Sequence, residues 1–321
     1  MDIEVSLPRK VGDDESSLNI LLTLLPWNMD SDITRIVFDW KSVEFLIPSA
    51  TVALAAGIRR WKQSGRIVEF RNAETSNAYT YLQRIDFFNC CGIESPESFQ
   101  RHPHRDRFFP VTQISNMNDV QSVSTQIARC ISPETSDSSD PDETGLLDLI
   151  EYSIAELATN VVQHSQSSGF VSAQYYESTD RVVVAIADSG IGIRESFRVH
   201  GSPHWSESMT DLEAIEKALE YTVSSRTHLV SAWGEPVNAG VGLTFLKMLA
   251  TTAGGDFYVI SGTGCYGIRS GRTLAIASNF VGTLCIMSFL RSKVSNFFEM
   301  FSKIKINLKS NRGDGHEEMF Q

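Results

Sequence analysis

The run LLDLIEYSIAELATNVVQHS (residues 146–165) decides how this chain is read. Leu146, Ile150, Ile154, Leu157 and Val161 recur at helical spacing, so the run forms an amphipathic helix with its apolar stripe on a core. Glu156 and Asn160 stand one turn apart on one side of it, and His164 follows one turn later. A carboxylate beside a carboxamide suits a hard cation and an activated water or hydroxyl. An ordinary solvated helix face also carries such pairs, and His164 reads equally well as a capping residue at a helix end.

Downstream, strands are expected at Phe170 to Tyr176 and Arg181 to Ala187. In VVVAIADSGIGI (182–193) an apolar strand delivers one acid, Asp188, to its end, and Gly190 and Gly192 follow. Such a buried acid can accept from an exocyclic amine, as adenine offers, while the glycines let the backbone turn tightly. The ordinary reading is an Asp capping its own turn. In NAGVGLTFLK (238–247), Gly240 and Gly242 open a helix running to Thr252, whose free N–H groups can hold phosphate oxygens. No GxxxxGK[ST] loop is present. In GTLCIMSFL (282–290), Thr283 brings a hydroxyl to the start of a last strand. Further strands are expected at Asp256 to Ser261 and Thr273 to Ala277. A helix over Thr210 to Thr222 opens with the capping pair Thr210 and Glu213.

Each piece is weak by itself, but their order is not. Glu-x-x-x-Asn on a helix, Asp-x-Gly-x-Gly after a strand, Gly-x-Gly into a helix and Gly-Thr into a strand resemble the four boxes of the GHKL ATPase superfamily. The resemblance runs from Thr112 to Arg291 and includes the GGDFYVISG strand typical of kinase-like members. It implies an ATP site with Mg²⁺. Asn160 would be the metal ligand and Glu156 the general base. Asp188 would read adenine, with Gly190 and Gly192 shaping the base pocket. Gly240 and Gly242 would hold phosphates, with Thr283 nearby. His164 falls where members often carry a basic residue. Residues 194–239 would form an ATP lid, from which Arg226 reaches the γ-phosphate or simply stays on the surface.

Upstream, SPETSDSSDPDETG (132–145) has five acids, no base, two prolines and four serines, the composition of a solvated loop. Before it, Met117 to Ile131 has helical spacing. Strands are expected at Asn19 to Leu25, Ile33 to Trp40 and Ile67 to Arg71, and helices at Pro48 to Ser64 and Asn77 to Phe88. This small α/β unit resembles a STAS domain over Ile33 to Phe88. In phosphoswitch members an Asp-Ser pair opens the helix; here Pro48-Ser49 stands there, so the Asp is missing. The expected fold is thus α/β. A STAS-like domain (1–108) precedes a GHKL (Bergerat) α/β sandwich (109–291) with a mixed sheet and helices on one face. A tail (292–321) follows, with Phe297, Phe298, Met300, Phe301 and Ile304 patterned to pack on the body or to self-associate as a homodimer.

Bulk composition narrows the partners. The chain has 321 residues, 42% hydrophobic and 21% charged, with a net charge of -11, which repels nucleic acid and anionic lipid. No apolar run is long enough to span a membrane, and Met1 to Lys10 is not a signal peptide. Five cysteines with no CxxC pair point to the cytoplasm and away from structural zinc. The basic cluster Arg101 to Arg107 is a solvated loop or a contact for an acidic partner. No His lies between Phe109 and Asn160, so the acceptor of a sensor histidine kinase is missing. The stretch after Arg291 is too short for the second domain of gyrase or MutL relatives. The resemblance therefore implies an ATPase whose nucleotide state controls a protein partner through the N-terminal unit. Its alternatives are a serine/threonine kinase of the anti-sigma-factor type and a non-hydrolysing binding module.

Overall fold

The computed structural model describes residues 1–12, 15–28, 32–104, 107–131, 141–223, 225, 242–267, 272–294 and 297–310. The chain is α/β and opens with β1 (Asp2–Ser6), β2 (Lys10–Val11), α1 (Glu15–Leu24), β3 (Arg35–Asp39), β4 (Phe45–Leu46), α2 (Pro48–Gln63) and β5 (Ile67–Arg71). Strands β1, β3 and β5 form a parallel sheet in that order, so α1 and α2 are successive crossovers. Right-handed crossovers stepping in one direction put both helices on the same face. The other face carries partly exposed ion pairs: Arg35 with Asp2 and Glu69, and Arg71 with Glu4.

Helices α3 (Tyr79–Arg84) and α4 (Phe87–Cys90) follow, then β6 (Phe108–Ile114), α5 (Met117–Ile131), α6 (Pro141–His164), β7 (Gly169–Tyr176) and β8 (Arg181–Asp188). The chain continues through α7 (Gly192–Val199), α8 (Asp211–Ala218), α9 (Gly242–Thr252), β9 (Phe257–Gly267), β10 (Arg272–Leu290) and α10 (Phe297–Ser310). A second sheet has the order β6-β7-β8-β10-β9, and its pairings are antiparallel throughout. This corrects the expected mixed sheet.

Helices cover both faces of this sheet, not one. Along β8, Val182, Val184 and Ile186 join a core with α5, α6 and α9, whereas Val183, Ala185 and Ala187 join a core with α1 and α2. Burial on both faces explains why β8 reads as an unbroken apolar run. Helix α2 lies between the two sheets and is buried from Pro48 through Ile58 and again at Trp61. Its small residues allow that fit: a β-carbon on Gly57 would lie 2.8 Å from the Trp61 ring. Truncating Leu54, fully buried there, is expected to cost about 2–5 kcal/mol.

Several elements depart from the sequence expectation. Residues 19–25 are mostly helical, not a strand, because Leu18, Leu21, Leu22 and Leu25 form a buried stripe at helical spacing. Strand β1 was not anticipated. The expected helix at 77–88 breaks in two at Asp86, which adopts φ 58°. Helix α6 starts at Pro141, inside the stretch read as a loop, with proline in its first turn. The helix after Thr210 ends at Ala218, although its capping box is present. The expected strands at 273–277 and 282–290 are one strand, β10, with register irregularities between Ala275 and Thr283. The remainder of the acidic loop, residues 132–140, lies outside the described residues, as do 311–321 of the tail. Among the described residues no helix is long and apolar enough to cross a membrane.

Candidate functional site

Asp188 continues the β8 row formed by Val182, Val184 and Ile186, so the pleat turns its side chain toward α6. On the neighbouring strand β10, the alternation of Thr283, Cys285 and Met287 brings Thr283 and Cys285 to the same side. A cleft of about 240 Å³ opens there between α6, α7, the ends of β8 and β10, and the start of α9. Seven expected residues line it: Glu156, Asn160, His164, Asp188, Gly192, Gly242 and Thr283. Arg226 and Gly240 lie outside the described residues. No lysine or arginine is among the described residues of the lining.

Gly190 does not line the cleft; it shapes the turn beneath it. A β-carbon there would lie 2.0 Å from the Ser165 carbonyl oxygen, which itself accepts the Ile191 N–H at 2.9 Å. The end of α6 and the turn after β8 thus meet backbone to backbone. On the other flank, Gly282 adopts φ +106°, and a β-carbon there would come within 2.1 Å of the Asp188 carbonyl oxygen. Ser261 ties this corner to α7, since its Oγ donates to the Gly282 carbonyl at 2.8 Å and accepts the Ile193 N–H at 3.0 Å.

The electrostatics single out two acids. Asp188 is buried, and burial pushes its carboxyl up to about 7 despite N–H groups from Gly190 (2.8 Å) and Thr283. Burial also raises the Glu156 carboxyl above its ordinary value. Its Oε2 lies against Gly242 at the first turn of α9. Beside it, Asn160 holds a buried Nδ2 with no hydrogen-bond partner among the described residues. A polar ligand at this cleft wall would satisfy that amide donor. Two carboxyls raised by burial in one cleft are the pattern of a chemical site more than of a packed core.

Residues missed by sequence reasoning complete the wall. His164 Nδ1 meets Ser225 Oγ at 3.0 Å, Ser225 meets Ser196 at 2.9 Å, and Ser196 meets His200 Nδ1 at 3.3 Å. This chain joins α6, α7 and residue 225. The alternation of Cys285 with Thr283 was a readable signal; the two serines carried none. Cys285 is buried in the floor, where burial first and the Asp188 charge second push its thiol up to about 12.

Elsewhere, expected features are absorbed by packing. Ser49 is fully buried, out of reach of a phosphate donor. Arg101 is bound to Glu97 and Asp86, and residues 105 and 106 of its cluster lie outside the described residues. All five cysteines are free, and no group of three or more His, Cys, Asp or Glu among the described residues is arranged to hold a metal. No protein-family model matches the chain, and no curated protein matches it.

Proposed function

We propose that the chain is a GHKL-type ATP-binding protein, a Mg²⁺-dependent ATPase whose nucleotide state governs a protein partner bound through its STAS-like N-terminal unit. One observation carries this reading. Seven residues chosen from four separate sequence boxes, spanning Glu156 to Thr283, line a single cleft.

The chemistry of each position supports it. Asp188 and the Thr283 side of β10 offer polar groups in a cleft whose lining also includes Leu157, Val161, Ile186, Ile193 and Phe197, which suits a heterocycle with one exocyclic amine. The start of α9 supplies N–H groups for phosphate oxygens. Asn160 fits Mg²⁺, which is commonly held by one or two protein oxygens together with phosphates and water. The metal would neutralise developing phosphate charge. Glu156, one turn from Asn160 and raised above its ordinary value by burial, suits a general base that orients and deprotonates the attacking water. Serving as such a base requires its carboxylate to be ionised when the nucleophile is bound, so a nearby cation favours the reaction.

Helix α2 of the N-terminal unit packs on the back of β7 and β8, and Arg60 Nη1 donates to the Ser189 carbonyl at 3.3 Å. A partner pressing on that unit therefore acts on the turn next to Asp188. Self-transfer of phosphate to Ser49 is disfavoured by its burial.

The deciding experiment incubates the protein with γ-labelled ATP and Mg²⁺ alongside Glu156→Ala. Free labelled phosphate that vanishes in the variant is the expected result. Label retained on protein would favour the kinase alternative, binding without either product the binding module, and no ATP binding at all would end the reading.

A further inference from the structure

The C-terminal helix does not hang free of the cleft. After β10 the chain turns at Arg291, whose N–H donates to the Asp180 carbonyl at 2.9 Å, while the Ser292 N–H donates to the Asp180 carboxylate at 2.9 Å. This directs α10 back over α6 and α9, where Met300 and Ile304 are buried in their shared core. Three rings meet there, one from each helix. Phe301 lies 4.4 Å from Phe245 and 5.7 Å from Tyr152, and Tyr152 lies 5.5 Å from Phe245, measured between centroids.

These rings sit one turn from the chemistry. Tyr152 is four residues before Glu156 on α6, and Phe245 is three after Gly242 on α9. A β-carbon on Gly242 would lie 2.4 Å from Glu156 Oε2, so only glycine at 242 leaves the carboxylate where it stands. The spacing of α6 from α9 therefore sets where the Glu156 carboxylate stands relative to the first N–H groups of α9. Packed aromatic clusters hold such spacings because removing one ring leaves a void that the helices close only in part.

The geometry points to Phe301 as a positioning residue: its ring, delivered by the C-terminal helix, holds α6 and α9 at the separation that places Glu156 for chemistry. This inference rests on the nucleotide reading above. The base pocket, built on β8, β10 and α7, does not touch α10 through any ring of this cluster, so nucleotide affinity and turnover respond differently.

The test compares wild type, Phe301→Ala and Phe301→Leu in the full chain by ADP affinity, kcat for phosphate release, and amide hydrogen exchange. Phe301→Ala is expected to lower kcat at least tenfold and leave ADP affinity within threefold. Exchange should rise in 152–164 and 242–252 but not in the β1-β3-β5 sheet, and Phe301→Leu should recover most of the rate. Unchanged kcat overturns the inference, as does a parallel loss of ADP affinity with exchange rising across the whole chain. Should the wild type release no phosphate from ATP, the ATPase reading fails separately. The exchange pattern then still decides, since unaltered protection of α6 and α9 in Phe301→Ala excludes a positioning role.

Discussion

The carboxylate of Glu156 and the backbone of Gly242 stand so close that a β-carbon on residue 242 would lie 2.4 Å from Oε2. One residue comes from the middle of α6 and the other from the first turn of α9, so their contact brings a buried acid to a helix N-terminus. The positive end of α9 favours the ionised acid there, whereas burial favours the neutral one. Burial prevails, and the carboxyl is raised. A ligand bearing its own cation would tip this balance toward the carboxylate.

Replacing that acid separates binding from chemistry. Glu156→Gln keeps the shape of the side chain and removes its basicity. Phosphate release is expected to fall by about 10²-fold or more, the usual worth of a general base, while ADP affinity by calorimetry stays within threefold.

Asp188 links function to stability with a definite sign. Its carboxyl, buried and raised to about 7, keeps its proton in the folded protein where the unfolded chain has already lost it. Stability is therefore expected to fall as pH rises from about 4 to about 7 and to level off above that, by at most about 4 kcal/mol from this one group. Asp188→Asn removes this penalty. The variant should melt higher than wild type at pH 8, match it more closely at pH 5, and lose ATP binding. An unchanged nucleotide affinity would sink the assignment of the base pocket.

Gly190 tests the turn between β8 and α7. Gly190→Ala forces a methyl group against the Ser165 backbone, which has no flexible side chain to yield. A stability loss of about 3 kcal/mol is expected from such overpacking, read as a lower denaturant midpoint with unchanged slope. Ala at the exposed Gly201, where a β-carbon meets nothing, carries only the strain of its positive φ and should cost less.

The thiols of half-buried Cys90 and of buried Cys91 and Cys285 report on integrity. Burial raises Cys90 to about 11 and Cys285 to about 12, and lifts Cys91 well above its ordinary value. Since the thiolate is the nucleophile, iodoacetamide at pH 8 should leave all three unmodified in the native protein and label them on unfolding. Mass spectrometry of the digested protein checks this. Rapid native labelling of Cys285 would mean that the floor of the cleft is open.

Much of the cleft was legible because its signals are local. A 3.6-residue repeat put Glu156, Asn160 and His164 on one side of α6, and an apolar run ending in Asp188 marked a buried strand end. Helices α2, α5 and α9 were located within a residue or so because proline, glycine and periodic apolar residues bound them. Short apolar runs were not decidable that way: NILLTLL fits a buried strand or a buried helix, and only packing against α2 and β10 selects the helix. Bulges within β10 made one strand read as two.

What the sequence determined by itself is the set of residue types and their local geometry: which acid ends a strand, which pair shares a helix face, where a helix begins. Tertiary structure alone decided that α2 of the N-terminal unit covers the second face of the five-stranded sheet. It alone chained His164 to His200 through Ser225 and Ser196, and sent the last helix back to place Phe301 between Tyr152 and Phe245. The physical reason is range. Periodicity and capping act over a few residues, whereas these contacts join positions far apart in the chain and form only when burial of apolar surface drives the layers together.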